Sequence, residues 1–173
     1  MCIRDRPYIP GPQGATVTAW TLLMSMRSGQ PLLLCDAKSL TTARTAATTA
    51  VAVEELAPAH ATRLAIIGSG PVARAHLHYV KNLRDWQEIR LYSPRLATES
   101  ATRHAELRAL DPRLQLCTSQ EEAVATADVI LLCTSSAGPV LDPLRLGRNV
   151  LVTSISTNAV SYTHLTLPTS DLV

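Results

Sequence analysis

Six residues carry the most specific chemistry in the chain: Gly68-Ser69-Gly70-Pro71-Val72-Ala73, a G-x-G-x-x-A spacing. They follow the apolar run RLAII and open a segment with helical spacing, the setting in which this pattern is informative. Gly68 permits a tight turn, Gly70 lets backbone approach a pyrophosphate, and Ala73 is small enough for close helix–strand packing. The helix start supplies free N–H groups and a favourable dipole for phosphate. Pro71 suits the first helical turn, where its missing N–H has no intrahelical partner. Together these residues predict a dinucleotide-binding turn.

The end of the next strand bears on the cofactor's ribose. An acidic residue there favours NAD by accepting from the 2′-hydroxyl. This chain has Ser93-Pro94-Arg95 instead. Arg95 can pair with a 2′-phosphate and Ser93 can donate to it. NADP is therefore expected over NAD, with NAD possible.

The elements that position these residues follow from periodicity. Residues 18–25 and 31–36 read as two strands joined by a turn at 27–30, a hairpin. Residues 42–56 read as an Ala-rich helix with Ser/Thr capping candidates, stopped at Pro58. From Arg63 the pattern alternates. Strands are expected at 63–70, 88–93, 114–119, 128–136 and 149–156, with helices at 71–83, 96–110 and 120–127. Apolar strands alternating with helices predict an α/β fold with a parallel sheet covered on both faces.

Composition excludes little beyond extremes. The 173 residues are 46% hydrophobic and 17% charged, with a formal net charge of +2. Lys and Arg are scattered, so neither a nucleic-acid stripe nor a membrane-surface patch is expected. Cys2, Cys35, Cys117 and Cys133 form no C-x-x-C pair, which speaks against a zinc site or disulfide framework and fits a reducing cytoplasm. The apolar run VILLC is far too short for a membrane span.

The two ends read differently. MCIRDR can be encoded by DNA whose reverse complement encodes Val-Ser-Tyr-Thr-His, the residues Val160 to His164. That DNA resembles the transposase end used as a sequencing-library tag, and LTLPT (165–169) fits the adjoining adapter. Residues 1–6 and 160–173 are therefore expected to be adapter-derived and are set aside. Residues 7–60 are expected to be the remnant of a substrate and dimerisation domain with a connecting helix. Residues 61–159 are expected to form a Rossmann-type NAD(P)-binding domain.

Four segments carry a resemblance: Arg-Thr-Ala-Ala at 44–47, the turn at 68–73, ADVILLCTSSAGPVL at 127–141 and VTSISTNA at 152–159. In order and spacing they resemble the ornithine cyclodeaminase/μ-crystallin family. The resemblance implies a Rossmann domain beside a separate substrate domain, and a homodimeric parent. It also implies that Arg44 binds a substrate α-carboxylate, which suits a bidentate guanidinium, helped by its expected place at a helix start. Thr16 matches a threonine near the cofactor, Thr134 faces the nicotinamide side, and Val152, Ser154 and Ile155 line the nicotinamide pocket. No catalytic residue is assigned.

Two departures shape the expected function. The family's substrate-site lysine lies upstream of Thr16 and is absent here. Cyclodeaminases carry an aspartate where this chain has Asn158, and an amide cannot serve as a carboxylate base. The leading expectation is an NAD(P)H-dependent reductase of small cyclic imino acids or an amino-acid dehydrogenase. The alternatives are an ornithine cyclodeaminase and a non-catalytic NADPH-binding protein. A chain lacking part of its substrate domain is expected to be inactive.

Overall fold

The chain begins with short antiparallel strands. In the computed structural model, which describes residues 2–5, 8–9, 16–134, 136, 138–147 and 149–155, these are β1 (Cys2–Asp5), β2 (Tyr8–Ile9), β3 (Thr16–Val17), β4 (Trp20–Met24) and β5 (Pro31–Asp36). They form two sheets, β1-β4-β5 and β2-β3. The expected hairpin is present: β4 and β5 pair antiparallel, and Gly29 turns the chain between them at φ 68°. Such a positive φ is cheap only for glycine. β1, drawn from residues 1–6, pairs with β4 on its other side. On β5, Leu32, Leu33 and Leu34 are all exposed, the outer two by more than 60% (Leu32 63%, Leu34 66%).

Helix α1 (Lys38–Leu56) starts earlier than the expected Thr42. The Asp36 carboxylate accepts from the Lys38 N–H at 3.1 Å, and this capping bond starts the helix ahead of the Ser/Thr cluster. At the other end the Arg84 guanidinium donates to the carbonyls of Val53 (3.3 Å), Glu54 (2.8 Å) and Ala57 (3.2 Å). The Glu54 carbonyl is one of those that a helix end leaves without an intrahelical partner, while the Val53 carbonyl also accepts from Ala57 N–H at 3.1 Å. The chain divides into two compact units after Ala46, inside α1. The latter part of the helix belongs to the second unit, because Ala50, Val53 and Ala57 enter its core.

That unit is an α/β fold of the Rossmann type. Its elements are β6 (Arg63–Ile67), α2 (Pro71–Val80), β7 (Glu88–Tyr92), α3 (Ala101–Arg108), β8 (Leu114–Leu116), α4 (Gln120–Val124), β9 (Val129–Leu132) and β10 (Leu151–Ser154). The sheet order is β10-β9-β6-β7-β8, and every pairing is parallel. β9 is buried throughout, and β6 at all but its first residue, which is why both read as unbroken apolar runs. One face of the sheet packs Leu64, Ile66, Ile89 and Leu91 under Leu77, Trp86 and Leu107. The other packs Ala65, Ile67, Ile130 and Leu132 under Ala123 and Leu141. The Asp128 carboxylate sets the start of β6 by accepting from the N–H groups of Thr62 (2.8 Å) and Arg63 (3.0 Å).

Several elements are shorter than their periodicity suggests. The helix expected over 96–110 is two pieces, a 3-10 turn at Pro94–Thr98 and then α3. Two serines cause the break. Ser93 accepts from Arg95 N–H and Ser100 from Arg103 N–H, so each starts its own helix. The strands expected over 128–136 and 149–156 stop at Leu132 and Ser154, where the chain leaves the ladder for the loops of the carboxyl edge. Among the described residues no helix is long and apolar enough to cross a membrane.

Candidate functional site

The parallel register makes one row of strand ends. Ile67 on β6 pairs with Tyr92 on β7 and with Leu132 on β9, and Leu132 pairs with Ser154 on β10. The residues just beyond are therefore neighbours along the carboxyl edge: Ser93, Gly68, Cys133 with Thr134, and Ile155. The sequence reversal of the sheet falls between β6 and β9, the crevice in which open α/β sheets bind ligands.

Gly68 sits in that crevice at φ 129°. Its N–H donates to the Tyr92 carbonyl at 2.8 Å, while Cys133 N–H donates to the Ile67 carbonyl at 2.8 Å. A Cβ on Gly68 would stand 2.4 Å from the Cys133 carbonyl oxygen. Glycine is required there by both torsion and space. Gly70 differs: its φ is −77°, and a Cβ there would meet nothing within 4 Å. The open space lies over the start of α2, whose first turn has Pro71 and no side-chain cap. Gly70 accepts from Arg74 N–H through its carbonyl, and Ala73 is fully buried against the sheet. An uncapped helix start facing open space at the switch point fits a pyrophosphate.

Ser93 is nearly buried, and its hydroxyl oxygen is engaged with Arg95 N–H at 3.4 Å. The Arg95 side chain is exposed and makes no ion pair among the described residues. Thr134 Oγ1 accepts from Ser136 N–H at 3.1 Å, which shapes the loop after β9. Val152 and Ser154 lie on β10, and Ile155 N–H donates to the Leu132 carbonyl at 3.3 Å. Gly68, Gly70, Pro71, Ala73, Ser93, Arg95, Thr134, Ser154 and Ile155 thus lie along or beside one sheet edge, whereas Val152 pairs with Ile130 inside the ladder.

Thr16 and Arg44 belong to the first unit. Thr16 pairs with Ile9 on β3. Arg44 is exposed on α1, in its second turn rather than at the start. The helix-terminus contribution expected for Arg44 does not hold, because only the first four N–H groups of a helix lack intrahelical partners. Asn158 lies outside the described residues.

Sequence reasoning missed five residues. Ser69 is buried between the two glycines, and Glu99 and Arg103 return to it from beyond β7. His76 is fully buried in α2, with Nδ1 against the Val72 carbonyl at 2.8 Å and Nε2 against Thr49 Oγ1 at 3.0 Å. Burial holds its pKa below the ordinary 6.5. The Cys133 thiol, buried beneath the turn, is pushed up to about 12. Only the helical spacing of His76 from the glycines offered any sequence signal for this group.

Sheet order, glycine geometry and helix start define a Rossmann-type nucleotide-binding fold. The chain belongs to the ornithine cyclodeaminase/mu-crystallin family, whose model matches residues 11–167. It is 66% identical over 157 residues to the NAD(P)H-dependent anabolic L-arginine dehydrogenase of Pseudomonas aeruginosa, covering 91% of this chain and 49% of that protein. It is 34% identical over 154 residues to the ornithine cyclodeaminase of Brucella suis, covering 87% of this chain and 42% of that protein. Among solved structures, Δ1-pyrroline-2-carboxylate reductase of Thermococcus litoralis, in complex with NADH and L-proline, superposes with a TM-score of 0.70 at 27% identity. That match covers 80% of this chain and 43% of the other. The chain spans about half the length of the curated relatives it matches.

Proposed function

We propose that this chain carries the nicotinamide-dinucleotide half of an amino-acid dehydrogenase that reduces a small α-imino acid. The observation that carries this is the glycine turn at the switch point: Gly68 closed against β9, Gly70 facing open space, and an uncapped helix start beside them. The N–H groups of the α2 start would hold the pyrophosphate. The Thr134 loop and Val152 to Ile155 would flank the nicotinamide. The bound cofactor would supply hydride. The imine carbon would accept it, and a proton would complete the amine nitrogen.

Arg44 would hold the substrate α-carboxylate by a bidentate contact. The 66% identity to an L-arginine dehydrogenase supports a basic α-imino acid, formed from a 2-oxo acid and ammonia, over a cyclic imine. Arg95, exposed on the loop after β7, supports acceptance of a 2′-phosphate and hence NADPH as well as NADH. A homodimeric, cytoplasmic parent enzyme is part of the same reading.

The test is oxidation of NADH and NADPH by the purified full-length parent enzyme, supplied with the 2-oxo analogue of arginine and ammonia. Cofactor oxidation that needs both additions is expected. Release of proline and ammonia from ornithine, without net cofactor oxidation, would decide instead for the cyclodeaminase. Binding of NADPH with no turnover on any imine would decide for a non-catalytic binder.

A further inference from the structure

Beyond β7 the chain turns back toward the glycines. Ser69, between Gly68 and Gly70, is 5% exposed, and its hydroxyl donates to Glu99 Oε1 at 3.5 Å. The Ser69 carbonyl accepts from Arg103 Nη2 at 3.2 Å, and Arg103 Nη1 pairs with Glu106 at 2.9 Å. The Arg103 charge is thus directed at Ser69 and Glu106, and Glu99 has no ion pair among the described residues. Glu99 Oε2 is shut off from solvent and has no hydrogen-bond partner among the described residues.

A shielded carboxylate oxygen without a donor is costly. Its location narrows what would supply one. The residue between the two glycines lies beside the pyrophosphate, and the adjoining ribose carries hydroxyl donors. The strand-end position, where an acid usually meets that ribose, is Ser93, and its oxygen is engaged by Arg95 N–H. Because Oε2 is shut off from solvent, meeting a ligand requires the Glu99 side chain to change rotamer, and its staggered χ wells allow the carboxylate to exchange between Ser69 and a bound ribose.

We propose that Glu99 is the ribose acceptor of this site, replacing the missing strand-end acid, and that it sets the choice between 2′-hydroxyl and 2′-phosphate cofactors. This rests on the reading of the turn as a nicotinamide-dinucleotide site. A carboxylate accepts from a hydroxyl and repels a phosphate. Arg95, on the same loop, acts in the opposite sense. The opposed pair gives a site that takes both cofactors, with Glu99 holding NADPH below the affinity that Arg95 alone would give.

The experiment titrates the full chain with NADH and with NADPH by fluorescence, for wild type, Glu99→Gln, Glu99→Asp and Arg95→Gln, each checked for a wild-type-like thermal transition. Glu99→Gln should tighten NADPH and weaken NADH, shifting the ratio of dissociation constants by on the order of tenfold. Glu99→Asp keeps the charge but shortens the reach, so it should weaken NADH while leaving NADPH disfavoured. Arg95→Gln should shift the ratio toward NADH. Equal weakening of both cofactors by Glu99→Gln, or no change in either, would overturn the proposal, since Glu99 would then act only by bracing Ser69. Failure of the wild-type chain to bind either cofactor would overturn the site reading itself, and this proposal with it.

Discussion

Thr49 Oγ1 and His76 Nε2 stand 3.0 Å apart in the buried seam between α1 and α2. The Val72 carbonyl can only accept, so His76 Nδ1 carries the proton and Nε2 accepts from the threonine hydroxyl. Protonating Nε2 would set a donor against that hydroxyl and bury a charge.

The pH dependence follows from this pair. His76 is held neutral in the fold, with its pKa below 6.5, so the unfolded chain binds more protons as pH falls through that value. Stability is fully present above 6.5 and declines below it. Denaturant midpoints measured from pH 7.5 to 5 should fall, and the slope should flatten in His76→Gln. An unchanged slope in that variant would assign the effect elsewhere.

The two glycines of the turn should separate cleanly on substitution. Gly68→Ala meets a positive φ and the Cys133 carbonyl 2.4 Å away, so it should cost about 2 kcal/mol or more of stability. Gly70→Ala meets no neighbour within 4 Å and should change stability by less than about 0.5 kcal/mol. Its methyl group fills the space over the α2 start, so it should weaken NADH instead. Melting curves and an NADH titration on both variants check this.

Arg113 clamps four oxygens of three groups at the far end of the sheet. Its Nε and Nη2 pair with the two oxygens of the buried Asp111 at 2.8 Å each. Nη1 and Nη2 also donate to the carbonyls of Trp86 (3.2 Å) and Lys81 (3.1 Å). Arg113→Ala leaves the Asp111 carboxylate shielded without its partner and should cost about 3 kcal/mol, read from denaturant unfolding. The Arg113 hydrogen bond holds the Asp111 pKa below 3.8. Its contribution is present above that value and lost as pH falls through the lowered one.

Thiol reactivity should be graded by position. The Cys133 thiol, with its pKa pushed to about 12 by burial, is not a nucleophile at pH 8. Burial raises Cys117 as well. Peptide mapping after treatment with a thiol reagent should find Cys35 modified, and Cys133 modified only once denaturant is added. Rapid labelling of Cys133 in the native chain would contradict the closed contact between β9 and Gly68.

The Rossmann sheet was legible because its strands are unbroken apolar runs and its phosphate turn is a local pattern. Gly68, Gly70, Pro71 and Ala73 could be assigned from adjacent residues alone. The split at Thr98 was not legible, since 96–110 carries helical spacing throughout and the break comes from competing serine caps. Nor could spacing show that Glu99 returns to Ser69, a contact made only after the chain has turned. The start of α1 was misplaced for a related reason: the capping group is Asp36, on the preceding strand, rather than the Ser/Thr cluster nearer the helical pattern.

The leucines of β5 bear on how the protein behaves in the tube. Leu32, Leu33 and Leu34 project to both sides of a strand at the edge of its sheet, where the outer backbone groups are a template for another strand. Solubility will therefore be set by this short stretch rather than by the net charge. Concentrating the protein should bring turbidity, and replacing Leu33 with lysine should delay it.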